Sequence, residues 1–185
     1  MYAHCSSFIA TSLDGFISRP DGSIDWLERA NETLAKGDDC GYGEYIATVN
    51  GIVMGRHTFE LALSFEKWPY DDISVYVLSS SWRSLPANSP RTVTLHSGSP
   101  GEIAALAWNR GHRSLYVDGG KTIQGFIAEG HLQEITVTVI PVLLGSGRSL
   151  FGPVPAATIW LSHLSSRVFP FGFVQNRYSI QRRDA

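Results

Sequence analysis

Gly55-Arg56-His57-Thr58 puts a cation and a hydroxyl at the point where an apolar strand gives way to a helix. The strand reads Gly51-Ile52-Val53-Met54 and the helix continues Phe59-Glu60-Leu61-Ala62-Leu63. The first backbone N–H groups of a helix have no partners within it and carry partial positive charge, so such a junction suits an anion, phosphate above all. A second junction of the same kind is Val117-Asp118-Gly119-Gly120-Lys121-Thr122, which leads from the strand at 114–117 into Ile123-Gln124-Gly125-Phe126-Ile127. Each junction alone has a plain packing explanation, because glycine accepts backbone angles that other residues avoid. Arg56 alone is equally a solvated surface arginine. Together, the two junctions suggest a ligand with separated phosphates, such as a dinucleotide.

The elements that must position these groups alternate along the chain. Strands are predicted at 6–10, 51–54, 73–78, 91–95 and 114–117, where β-branched and aromatic residues cluster. A short extended piece, 16–18, lies between the turn signals Asp14-Gly15 and Pro20-Asp21-Gly22. Helical or loop segments are predicted from Asp25 to about Lys36 and at 44–49. Further helices follow Gly55, span 101–108, and run from Lys121 to Glu129, where Gly130 ends the last. Beyond that, 134–144, 158–164 and 173–181 read as strands. The expected fold is therefore α/β in three layers, with a largely parallel central sheet and antiparallel strands at the C-terminal edge. In such sheets ligands bind beyond the carboxyl ends of the strands, so both junctions are expected to face one crevice.

Composition narrows the function classes. The 185 residues are 43% apolar and 17% charged, and are expected to form a single domain over 1–185. A net charge of −2 supplies no basic field, so no nucleic-acid partner is expected. Cys5 and Cys40 cannot make a zinc cluster, the histidines lack ligand spacing, and no metal is expected. Residues 1–10 show no basic segment followed by a long apolar run. No stretch approaches membrane-spanning length, so the expected setting is the cytoplasm with no membrane partner.

Five runs, in order, resemble the dihydrofolate reductase-like superfamily. They are Ser12-Leu13-Asp14-Gly15-Phe16-Ile17, Val53-Met54-Gly55-Arg56-His57-Thr58, Leu78-Ser79-Ser80, Val117-Asp118-Gly119-Gly120, and the run from Ile140 to Phe151 containing Gly145-Ser146-Gly147-Arg148. The nearer match is to single-domain relatives of the reductase domain of the riboflavin-biosynthesis deaminase–reductase. The resemblance implies that fold and NADPH as cofactor. Under it, Gly55, Arg56, His57 and Thr58 hold the phosphates of the adenine half, and Leu78, Ser79 and Ser80 border the adenine ribose. Gly119, Gly120, Lys121 and Thr122 meet the pyrophosphate, and Ala10 and Ile17 flank the nicotinamide. Plain core packing is the other reading of Ala10 and Ile17.

On the substrate side the resemblance thins. Counting on from Trp26 to the place of the folate-type acid reaches Asn31, between Glu28 and Glu32. The riboflavin-type reductases place an acid before the glycine pair, here Asp118, and carry the turn acid matched by Asp14. They also have a lysine in the first strand, which Ser6-Ser7-Phe8-Ile9-Ala10 lacks. Asp118 and Asp14 are the candidate catalytic or orienting acids, with helix capping the other reading of Asp118. Two functions remain open. One is an NADPH-dependent reductase acting on a small heterocyclic (pterin or ribosylaminopyrimidine-like) or carbonyl substrate. The other is a nucleotide-binding protein with little or no turnover. The resemblance further implies a homodimer built with the 141–151 segment and the C-terminal strands.

Overall fold

The computed structural model describes residues 1–152 and 158–181. Positions 153–157 and 182–185 of the expected domain lie outside the described residues. The elements run β1 (His4–Ser12), β2 (Phe16–Ser18), α1 (Asp25–Asn31), α2 (Tyr42–Ile46), β3 (Gly51–Gly55), α3 (Arg56–Leu63), β4 (Ser74–Leu78) and β5 (Val93–His96). They continue α4 (Pro100–Asn109), β6 (Ser114–Asp118), α5 (Gly120–Ala128), β7 (Glu134–Ile140), β8 (Arg148–Ser149), β9 (Leu161–Val168) and β10 (Val174–Ile180).

An 8-stranded sheet has the order β5-β4-β3-β6-β1-β7-β10-β9. Every pairing from β5 to β7 is parallel, and β10 runs antiparallel to both β7 and β9. The side-chain period of two sorts the core onto the two faces. In β3, Val53 packs with Ile103, Ala104, Ile123 and Phe126, from α4 and α5. Its neighbours Ile52 and Met54 pack on the other face with Phe59 and Ala62 of α3. A third cluster joins Trp26 of α1 to Ile140, Phe169 and Phe173 at the β7 side. These are the expected three layers.

The differences from the expected elements have local causes. The 134–144 strand stops at Ile140, because Pro141 cannot donate to a sheet ladder. Residues 148–149 pair with β2 in a separate two-stranded sheet, and Leu150 donates to the Gly15 carbonyl at 3.0 Å. The strand expected over 158–164 spans Leu161–Val168, with its register set by antiparallel pairing to β10. Among the described residues, no helix is long and apolar enough to cross a membrane.

Candidate active site

α3 and α5 leave the carboxyl ends of adjacent strands, β3 and β6, and their starts interlock. Gly119 has φ +88°, a backbone conformation that side chains rarely adopt, and a Cβ there would press on the Thr58 hydroxyl. A Cβ on Gly55 would stand 3.1 Å from Thr122 Oγ1. Each glycine thus receives the other helix's threonine, which brings the two N-termini together. Both are left open. Neither Gly55 nor Gly119 offers a side-chain cap, and neither first turn contains an acid. The other helices differ: α1, α2 and α4 all carry an acid in the first turn. α4 is also closed by a reciprocal capping box between Ser99 and Glu102. The positive ends of α3 and α5 lack any carboxylate of their own.

They open on a crevice of about 1480 Å³ along the carboxyl ends of the sheet. Ala10, Ile17, Gly55, Arg56, His57, Thr58, Leu78, Ser79, Ser80, Asp118, Gly119, Gly120, Lys121 and Thr122 all line it. At the β4 end, the Arg56 guanidinium lies 5.9 Å from the Trp82 ring centroid. It also stands 3.1 Å from His57 Nε2, while His57 Nδ1 is 3.1 Å from Glu60. This chain is satisfied by a neutral His57 protonated at Nδ1, with Arg56 donating to Nε2. At the opposite side Ile17 covers Gly120, whose Cβ would lie 2.8 Å from Ile17 Cδ1.

The two candidate acids have different surroundings. Asp14 does not line the crevice. Its carboxylate accepts from Ser12 Oγ at 2.6 Å, Gly145 N at 2.7 Å and Leu144 N at 3.1 Å. The Ser12 bond, then those from the Gly145 and Leu144 backbone, hold its pKa below the usual carboxylate range. An acid so stabilised as an anion is a poor proton donor, and these bonds tie the β1–β2 turn to the 141–150 segment. The structure thus places Asp14 outside the crevice lining, with its carboxylate bonded to Ser12 and to the backbone of Leu144 and Gly145.

Asp118 sits at the crevice floor and is 9% exposed. Its Oδ1 accepts from Gly119 N at 2.8 Å and its Oδ2 from the Tyr70 hydroxyl at 3.3 Å. Gly119 is itself the cap residue, so Asp118 does not cap the inner turns of α5. Burial raises its pKa, which the hydrogen bonds from Gly119 N and the Tyr70 hydroxyl partly oppose. A buried, neutralisable acid at the base of a crevice is what proton donation requires.

Two lining residues escaped the sequence reading. Tyr70 follows Trp68-Pro69 in a segment without periodicity, 48 positions from its partner Asp118. Arg148 lines the crevice with its guanidinium 3.1 Å from where a Gly22 Cβ would stand.

The family model described as the RibD C-terminal domain matches residues 3–174. The chain belongs to the RibD C-terminal domain family. Within this family's reach is the "Uncharacterized protein YwjB" of Bacillus subtilis (strain 168), 35% identical over 145 residues, covering 78% of this chain and 80% of YwjB. A structure of a candidate riboflavin biosynthesis protein from Shewanella sp. PV-4 superposes with a TM-score of 0.89 at 36% identity, covering 98% of this chain and 100% of that one. Dihydrofolate reductase from Enterococcus faecalis superposes over the full length of both chains with a TM-score of 0.59 at 17% identity. The RibD C-terminal domain chain thus has the dihydrofolate reductase-like fold, and its family is related to reductases.

The interlock makes a prediction about stability. Gly119→Ala should cost about 1–3 kcal/mol from the backbone alone, before the Thr58 clash is counted. Adding Thr58→Ala should recover the clash but not the backbone cost. Urea unfolding of the two variants measures both parts, and a Gly119→Ala protein as stable as the parent would contradict the interlock.

Proposed function

We propose that this chain is an NADPH-dependent reductase acting on a small heterocyclic or carbonyl substrate. The observation that carries the reading is the pair of open, interlocked helix starts facing one crevice, with Arg56 near one and Lys121 near the other. Arginine makes a forked, permanently charged contact with phosphate, and glycine at a helix start admits close approach of the pyrophosphate. The residues present fit the cofactor. Gly55, Arg56, His57 and Thr58, with Leu78, Ser79 and Ser80, would hold the adenine half and its ribose phosphate. Gly119, Gly120, Lys121 and Thr122 would meet the pyrophosphate, and Ala10 and Ile17 would flank the nicotinamide. The Enterococcus faecalis dihydrofolate reductase of like fold is a complex with NADP(H).

When bound, NADPH supplies a hydride, the two electrons of the reduction. The chain's own residues hold the substrate's C=N or C=O carbon against the nicotinamide and exclude water. Asp118 gives the proton that the substrate's nitrogen or oxygen needs once its carbon has taken the hydride. Having given its proton, Asp118 would be left as a carboxylate and would regain a proton from solvent.

We also propose a homodimer. Of the 141–151 segment expected at its interface, Leu150 is buried and Val142 and Leu144 pack on the Trp26 cluster, while Leu143 and Phe151 stand exposed. The supporting surface is β9, an edge strand with Leu161, Leu164 and Val168 exposed.

Arg56→Ala should weaken NADPH binding by about 1.5–3 kcal/mol, the scale of a charge-assisted hydrogen bond, and leave NADH nearly unchanged. Calorimetry with both nucleotides tests this, and equal losses would contradict it. NADPH oxidation across a panel of pterins, flavin precursors and small carbonyls separates the reductase from a protein that only binds the nucleotide.

Light scattering at micromolar concentration should give twice the 20.3 kDa chain mass, shifting toward the monomer in Val168→Glu. A monomer mass for the parent chain would rule the dimer out.

A further inference from the structure

Asp118 neighbours a group of aromatic side chains of which Tyr70 and Tyr116 are buried and the rest half-buried. Tyr42 and Tyr45 come from α2, Tyr116 from β6, and Tyr70 from the segment after α3. The ring of Phe8 stacks on Tyr45 at 5.1 Å and meets Tyr42 edge-on at 5.8 Å. The hydroxyl groups of this cluster are directed differently. Tyr45 pairs with Ser6 Oγ at 3.0 Å, and Tyr116 donates to the Phe8 carbonyl at 3.0 Å. Tyr70 donates to Asp118 Oδ2, and of the four tyrosines it is the one that lines the crevice. Its ring is held edge-on by Trp68 at 5.2 Å, and its carbonyl accepts from Ile73 N at 3.0 Å, so its hydroxyl has a fixed place.

We propose that Tyr70 is the positioning residue of Asp118: its hydroxyl fixes the carboxyl group at the crevice floor and supports the carboxylate left after proton transfer. The inference deepens the reductase reading, in which Asp118 is the acid. A buried carboxylate is costly, and a hydroxyl donated to it offsets part of that cost. Among the described residues, no lysine, arginine or histidine forms an ion pair with Asp118. The tyrosines facing it have pKa values raised by burial, so they stay neutral while it titrates. Support for the charged form therefore comes from hydrogen bonds. The Tyr116 hydroxyl gives its proton to the Phe8 carbonyl and so is not a donor to Asp118. Tyr70 stands where support for Asp118 meets the crevice, so a change at this hydroxyl bears directly on the acid.

The test reads Asp118 itself, in the full-length ligand-free protein, by the ¹³C chemical shift of its carboxyl carbon against pH. Asp118→Asn assigns the signal. Tyr70→Phe removes the donor to the charged form, so the Asp118 midpoint should rise by about one pH unit, a tenfold gain in proton affinity. Replacing Tyr70 with 3,5-difluorotyrosine keeps the shape and strengthens the donor, so the midpoint should fall. This second variant carries the test if Tyr70→Phe does not fold. Tyr45→Phe deletes a hydroxyl bonded to Ser6 and should leave the midpoint nearly where it was. An unmoved midpoint in the Tyr70 variants, or an equal shift in Tyr45→Phe, overturns the proposal. Nucleotide binding and turnover do not enter this measurement. A protein that oxidised no NADPH would sink the reductase reading and leave the Tyr70–Asp118 result to be judged alone.

Discussion

The crevice depends on the contact between two helix starts. Gly55 meets Thr122, and Gly119 meets Thr58. A side chain at Gly119 would collide with Thr58 and force a backbone angle that only glycine takes comfortably, and one at Gly55 would crowd Thr122 at 3.1 Å. Because β3 and β6 are neighbours in the sheet, this reciprocal packing points two sets of unpaired N–H groups at one space. Neither first turn carries a carboxylate that would compete for those N–H groups. Sheet order does the rest. Arg56 reaches toward Trp82 at the β4 side, and Asp118 stands at the end of β6, between β3 and β1.

The two aspartates illustrate how surroundings assign chemistry to one residue type. Asp14 is exposed and receives a hydroxyl and backbone N–H groups, all of which favour the anion. It is a fastener, joining the β1–β2 turn to the segment that carries β8. Asp118 is buried and short of positive partners, and burial raises its pKa above the ordinary carboxylate value. Local sequence makes them look alike, since each precedes a glycine at a turn.

The parts legible in the sequence are those written in local pattern. Strand–helix alternation, the two glycine junctions and the switch to an all-β tail each rest on neighbouring residues, and the sheet follows them. What was not legible rests on distant partners. Asp14 meets the Gly145 N–H across 131 positions, and no motif around Asp14 signals that bond. β8 has two residues, too few to show a period, and exists only because β2 is there to pair with it. β9 is exposed along most of its length, so burial leaves no alternating pattern to mark its ends, and pairing with β10 places it instead. Nothing around Tyr70 in the chain marks it, because its partner Asp118 is supplied by a strand 48 positions away.

The central claim is that the starts of α3 and α5 act together as one anion-binding unit. An amide ¹H–¹⁵N titration of the protein with NADPH tests this most directly. The account predicts that the signals of Arg56, His57 and Thr58 and those of Gly120, Lys121 and Thr122 shift together, with one binding constant. Shifts confined to one helix start, or two sets moving with different constants, would contradict it.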